Sequence, residues 1–335
     1  MAKFKKRPVG KTGLEVTELS LGSASLAGIF SEVPDDQARQ TVIAGVEAGI
    51  NFVDTAPQYG LGRGEHMVGD GLRDRREGII LSTKVGRLLA PYRAARTTSE
   101  AWVKPFPFQI VYDYTYDGVI RSFEDSRQRL GLASIDILFV HDIGVMTHGA
   151  EQNYVYWRQL ETGGYRALLD LKKAGLVKAI GLGVNENQVL MDALDLGDWD
   201  VFLLAGRYTM LDQTSLDPLL NACLKRGTSV VAAAPFNGGA LMGLGMWNYD
   251  KAPPEIAKRV RELETFCADH KVPIGAAALK FALTHPAVCS VLTGPRSPAE
   301  VKSTLAWWET EIPTSFWHDL LAAKLVDPRT PLPSR

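Results

Sequence analysis

Long apolar runs are missing from this 335-residue chain. No stretch of about 18 uncharged apolar residues occurs, so no transmembrane helix is expected. Cysteine is scarce: Cys223, Cys267 and Cys289 are odd in number, scattered and never spaced C-x-x-C. That pattern argues against a disulfide framework and against a zinc knuckle. Neither sign of charge dominates, since 37 Lys+Arg face 38 Asp+Glu for a net charge of −1. The clustered positive charge that nucleic acid or an anionic membrane rewards is therefore lacking. The basic opening reads like a signal n-region, but Pro8-Val9-Gly10-Lys11-Thr12-Gly13 stands where an apolar stretch would be needed. No repeat, low-complexity tract or linker is visible. Hydrophobic residues at 46% and charged residues at 22% are ordinary globular composition. These features lead to an expectation of one cytoplasmic domain over 1–335 whose partner is a small molecule.

What is present is alternation. Short β-branched runs at 18–21, 51–54, 79–84, 135–141, 179–182, 201–204, 229–233 and 290–292 alternate with amphipathic stretches at 36–48, 117–130, 164–174, 187–195, 217–225, 255–270 and 298–308. Gly49, Gly131, Gly175 and Gly227 fall where left-handed C-caps belong, and Asp35, Asp36, Asn185 and Asn187 offer N-caps. Eight strand–helix alternations are the number that closes a (β/α)8 barrel. Ahead of them, 4–9 and 14–17 flank Gly10-Lys11-Thr12-Gly13, the pattern of a hairpin lying across the barrel floor. Two connections are long, at 88–116 after strand three and 236–254 after strand seven. Loops of that length usually carry function, and both are expected to cover a substrate or cofactor.

In such a barrel the reacting groups stand at the C-terminal strand ends. There the sequence places Asp54, Lys84 and His141, each after an apolar run, with Tyr59 just beyond Asp54. Charges at one apolar mouth need partners. An Asp54–Lys84 pair beside Tyr59 is expected to lower the phenol pKa, making it an acid–base group, with His141 bonding a substrate oxygen. Taken singly, each residue has a plainer role: Asp54 a cap or buried ion pair, Tyr59 packing, His141 a satisfied core histidine. Lys84 also suits a Schiff-base enzyme, although that chemistry does not require the tyrosine and aspartate. The remaining histidines show no metal spacing.

Asp54-Thr55-Ala56-Pro57-Gln58-Tyr59-Gly60-Leu61-Gly62-Arg63-Gly64-Glu65 resembles the D-T-A-x-x-Y-G-x-G-x-x-E signature of aldo-keto reductases, with Ser82-Thr83-Lys84 and Asp136–His141 at the next two signature positions. The resemblance runs from the hairpin to at least Trp308. It implies a (β/α)8 barrel, the tetrad Asp54, Tyr59, Lys84 and His141, and NAD or NADP bound without a Gly-rich Rossmann loop. It also implies cofactor contacts. Tyr208 falls where an aromatic faces the nicotinamide, Ala205 replaces the usual Gln, and Gly183-Val184 replace the Ser-Asn pair, leaving Asn185 as substitute. Pro235 and Asn237 fall on the segment that covers the pyrophosphate. Gly294, Arg296, Glu300 and Thr304 fall around a helix start suited to a phosphate. Glu300 and the absence of Lys-Ser at Gly294-Pro295 point to NAD, whereas Arg296 points to NADP.

The segments around Phe123, Tyr112–Gly118, His141–Ile143 and Leu204–Tyr208 resemble the sugar 1-dehydrogenase branch, whose members oxidise aldoses such as L-fucose to lactones; close relatives oxidise pyridoxal. Both substrates are cyclic hemiacetals. Trp102, Tyr114 and Trp247 are candidates for an aromatic wall, with loop packing as the alternative, and Asp142 and Arg207 for bonding hydroxyls. A general carbonyl reductase and a non-enzymatic redox-sensing subunit are the alternatives that the family offers.

Overall fold

A computed structural model describes residues 4–93, 98–99, 101–248 and 250–333. Eight parallel strands close on themselves: β1 (Leu19–Gly22), β2 (Phe52–Asp54), β3 (Ile80–Val85), β4 (Ile137–His141), β5 (Ala179–Val184), β6 (Val201–Ala205), β7 (Ser229–Ala233) and β8 (Val288–Thr293). Each hydrogen-bonds to its sequence neighbour, and β8 returns to β1. The expected (β/α)8 barrel is the observed fold. No helix among the described residues is long and apolar enough to cross a membrane.

Strand alternation assigns every side chain a side. On β3, Ile80, Ser82 and Lys84 share the inward face, while Leu81 and Val85 join the outer core under the helices. On β4, Ile137 and Phe139 point in and Leu138 and Val140 point out. On β2, Phe52 points in and Val53 out. By the same period Asp54, Lys84 and His141 form the last inward layer at the C-terminal mouth. Below them the barrel is filled by apolar side chains including Phe52, Phe139, Val201 and Val231. Val9, Leu14 and Val16 of the antiparallel hairpin Lys6–Pro8/Glu15–Thr17 plug the opposite end. The Gly10 N–H donates to Ser229 Oγ at 2.8 Å, holding the hairpin on the start of β7. The floor is sealed and the mouth is open to build on.

Gly131 and Gly227 end their helices in the left-handed conformation as expected, and Gly49 and Gly175 also have positive φ. The N-caps differ. Pro34 and Glu186 occupy those positions with no side-chain bond, and Asp35 instead pairs with Arg63 at 2.5 Å. Helices Arg63–Leu72, Val145–Gln159, Ile274–Phe281 and Thr314–Ala322 add to those expected. Val145–Gln159 has no buried residue, so no apolar stripe marked it in the sequence.

Both long connections fold over the mouth end of the barrel. In the first, Arg87–Pro91 pairs antiparallel with Phe108–Tyr112, and Trp102 bridges to Ile29. In the second, a turn of 3-10 helix (Asn237–Met242) is followed by Met246–Trp247 paired with Asp250–Lys251.

Candidate active site

Lys84 reaches its partners on the neighbouring strand end. Its Nζ donates to Asp54 Oδ2 at 2.6 Å and to the Thr55 carbonyl at 2.9 Å. Ser82 Oγ donates to the other Asp54 oxygen at 2.6 Å. Both members of the pair are about 1% exposed. Room for the lysine stem comes from Gly183 on β5, where an added Cβ would stand 3.2 Å from Lys84 Cε. Gly183, paired in register with His141, thus keeps the path of the stem clear. A lysine whose Nζ is committed to Asp54 and the Thr55 carbonyl is not free for a substrate carbonyl, which disfavours the Schiff-base alternative.

Tyr59 stands over this pair: Lys84 Nζ lies 4.8 Å from its ring centroid. His141 meets the ring edge-on at 5.8 Å, and Trp102 lies tilted beside it at 5.7 Å. The structure thus brings together the four residues expected at the mouth. It reverses one electrostatic expectation. Burial, then the charges of Asp54 and Asp142, push the Tyr59 phenol well above its ordinary 10.0, and the opposing cation is Arg87. Burial and the two carboxylates outweigh the cations here, so the phenol pKa is not lowered as expected. Burial likewise pushes Asp54 up against the pull of Lys84 and Ser82. His141 is driven well below 6.5 by burial and by the charges of Arg87 and Lys84, so its imidazole is neutral.

Behind the tetrad stands a residue the sequence did not single out. Arg87, 2% exposed, donates to Asp142 Oδ2 at 2.9 Å. The signal was a cation two residues past the end of β3, in the position where the first long connection begins. The buried Glu65 of the signature has a structural partner set: Thr83 Oγ1 donates to it at 2.7 Å and Arg129 at 2.5 Å, tying helix Arg63–Leu72 to β3.

The expected cofactor and substrate contacts sort by position. Asn185 lies at the mouth, its Nδ2 3.3 Å from Asp142 Oδ1. Tyr208, expected to face the nicotinamide, is instead about 1% exposed within the core, with its hydroxyl 2.7 Å from Thr284 Oγ1. Tyr114, expected on a substrate wall, is fully buried behind the site; its hydroxyl donates to the His141 carbonyl at 2.9 Å and meets His148 Nε2 at 3.0 Å. Arg207, expected to bond substrate, ties loops together instead, donating to the Asn185 carbonyl at 2.8 Å and to Asn248 Oδ1 at 2.9 Å. Asn237 is committed too: Thr209 Oγ1 donates to its oxygen at 2.6 Å, and its Nδ2 donates to the Gly206 carbonyl at 3.0 Å. In each case the residue follows a strand end, but the loop turns its side chain away from the mouth. Pro235 is buried next to Ala234, whose φ is +53°. Trp247 is half-buried on the second connection, with no ring contact to Tyr59.

Past β8, Gly294 is exposed and Arg296 half-exposed, its guanidinium in no ion pair among the described residues. Ser297 Oγ caps helix Pro298–Glu309, and Glu300 folds back to accept from the Arg296 N–H at 2.8 Å. Thr304 Oγ1 turns onto the Glu300 carbonyl at 2.9 Å. Across the rim, Ser23 Oγ past β1 is buried with no partner among the described residues, a polar group such as bound ligands satisfy. An unpaired arginine at a helix start and an unsatisfied hydroxyl suit a phosphate-bearing cofactor.

Comparison with known proteins places the chain in a family. The model of the "Aldo/keto reductase family" matches residues 18–324. A pyridoxal 4-dehydrogenase of Microbacterium luteolum is 45% identical, covering 96% of this chain and 98% of the relative. A D-threo-aldose 1-dehydrogenase of a Pseudomonas species is 34% identical over 94% and 96% of the two chains. An aldo-keto reductase of Bacillus halodurans solved in a holo form shares the fold, with a TM-score of 0.73, 24% identity and 98% of each chain covered.

Proposed function

The chain belongs to the aldo/keto reductase family and is an oxidoreductase; from that premise we propose that it oxidises a cyclic hemiacetal to a lactone, with pyridoxal as the preferred substrate. The observation that carries this reading is the Trp102 ring 5.7 Å from Tyr59. The ring, 4% exposed, makes an apolar wall beside the acid–base group. Of the two side chains expected to bond hydroxyls, Arg207 points elsewhere and Asp142 stands beside His141. The 45% identity to a pyridoxal 4-dehydrogenase supports the same choice. An aldose is the second reading, supported by the 34% identical D-threo-aldose 1-dehydrogenase.

When bound, the nicotinamide supplies a hydride acceptor. Arg296 and Ser23 would hold its phosphates and Asn185 its carboxamide. Glu300 would favour NAD, because a carboxylate already seated at the helix start repels a 2′-phosphate. In oxidation Tyr59 first gives up its phenol proton to solvent, a loss that burial disfavours. The phenolate then takes the proton of the hemiacetal hydroxyl as its carbon loses hydride, and a C=O bond forms. His141, neutral, donates a hydrogen bond to the same oxygen. Lys84 and Asp54 fix the floor under the phenol. In the reducing direction the protonated phenol is the acid, the form that burial favours.

The test is a panel of pyridoxal, L-fucose and 4-nitrobenzaldehyde with NAD and NADP, followed by cofactor absorbance and by mass spectrometry of the lactone. Pyridoxal is expected to give the highest kcat/KM. Turnover confined to L-fucose would replace pyridoxal by an aldose, and reduction of nitrobenzaldehyde alone would leave a general carbonyl reductase.

A further inference from the structure

Asp142 stands one residue past His141 and takes no part in the tetrad. Its φ of +41° lies in the left-handed region, where Asp and Asn are the best tolerated of the residues with a side chain. Its N–H donates to the Gly183 carbonyl at 2.9 Å. This turn breaks the in–out alternation of β4. The carboxylate comes round beside His141, with Oδ2 at 3.4 Å from Nε2, instead of pointing outward. Strained backbone held at a mouth is a mark of function.

The surroundings show which way the carboxylate faces. Arg87, packed with its guanidinium 5.5 Å from the Tyr112 ring, donates to Oδ2 from the buried side. The Arg87 side chain is 2% exposed and that of Asp142 18%, so the anion is on the open side and the cation behind it. A carboxylate offers about four acceptor sites. Arg87 uses one at 2.9 Å and Asn185 another at 3.3 Å, while the neutral His141 lies 3.4 Å away without donating. Acceptor capacity is left over, facing the place where Tyr59 and His141 would hold the reacting oxygen.

We propose that Asp142 is a specificity-determining residue whose carboxylate accepts a hydrogen bond from a second substrate hydroxyl close to the reacting carbon, and that Arg87 positions it. This rests on reading the mouth as the substrate site, and it deepens that reading by stating what the site selects. A site built to bond a hydroxyl rejects analogues lacking it far more strongly than an apolar slot rejects a missing methylene. Burial pushes the Asp142 pKa up and Arg87 pulls against it, while the Arg87 donation aims the carboxylate. With asparagine at position 142, the guanidinium would draw the amide oxygen to itself and turn an NH2 donor to the mouth.

The experiment needs no natural substrate. Reduction of glyceraldehyde and of propanal, alike in chain length but differing in hydroxyls, gives a ratio of kcat/KM values in which loss of folded enzyme cancels. Wild type is expected to favour glyceraldehyde by tenfold or more, the scale of a hydrogen bond to a charged group. Asp142→Asn, which tolerates the same backbone, should lower that ratio about tenfold, and Arg87→Met should lower it in the same direction. A wild type that reduces both aldehydes equally overturns the proposal without any variant. So does a ratio unchanged in Asp142→Asn, or a fall in Arg87→Met that is equal for both aldehydes. Failure of wild type to oxidise pyridoxal strikes the substrate reading, whereas an unmoved aldehyde ratio strikes only Asp142.

Discussion

Replacing Lys84 by Met exposes how the mouth is held together. The 2.6 Å pair with Asp54 is buried on both sides. Removing one partner of a buried pair leaves an uncompensated charge and costs about 3–5 kcal/mol. For 335 residues, the unfolding entropy is about 0.7 kcal/mol/K, so each kcal/mol moves Tm by roughly 1.4 °C and the expected loss is about 4–7 °C. The loss should depend on pH. Burial already pushes the Asp54 pKa above 3.8 with the lysine present, and without it the carboxyl rises further. A folded-state pKa above the unfolded value means the native state binds more protons, so stability falls as pH rises from the unfolded toward the folded pKa. Thermal melts at pH 5 and pH 8 should therefore show a larger deficit for Lys84→Met at pH 8. Adding Asp54→Asn, which removes the stranded charge, should recover most of it. A deficit equal at both pH values, or no recovery in the double variant, would refute the reasoning.

Burial holds the Tyr59 phenol well above 10.0, so ultraviolet difference titration of cofactor-free wild type against Tyr59→Phe should show no tyrosinate from this residue up to about pH 10. A transition near pH 8 would contradict that. Glu300→Arg exchanges a carboxylate seated on the Arg296 N–H for a phosphate fork, and kcat/KM with NADP relative to NAD should rise; an unchanged ratio would remove Glu300 from cofactor choice. Gly183→Val puts branched carbons onto the Lys84 stem, where even a lone Cβ lies 3.2 Å away. Turnover should fall by about tenfold or more through displaced geometry, and full activity would show that the lysine needs no such gap.

The barrel was legible because two periods were on the page, alternation in the strands and glycine at helix ends. The tetrad was legible because a strand fixes side-chain direction: Asp54, Lys84 and His141 each end an inward row. Beyond the strand ends that guarantee lapses. Tyr208, Arg207 and Tyr114 sit near the mouth in sequence, yet the loop backbone turns Tyr208 to Thr284, Arg207 to Asn248 and Tyr114 beneath His141. Asp142 reaches the site only through a positive φ that no periodicity encodes. Arg87 is not legible in the sequence, because a buried cation looks like a solvated one until its partner Asp142 is known. The tuning of Tyr59 escapes the sequence for a related reason: Lys84 is visible beside it, but not the burial or the approach of the Asp142 carboxylate to the phenol.

The most direct test of the account is oxidation of pyridoxal with NAD by wild type and by Tyr59→Phe, with cofactor binding measured alongside by fluorescence. Tyr59→Phe keeps the ring against Trp102 and removes only the hydroxyl, so turnover to the lactone should drop by ~10²-fold or more while cofactor affinity is retained. Turnover near the wild-type rate would contradict the assignment of Tyr59 as the proton-transfer group, and with it the mechanism proposed for this site.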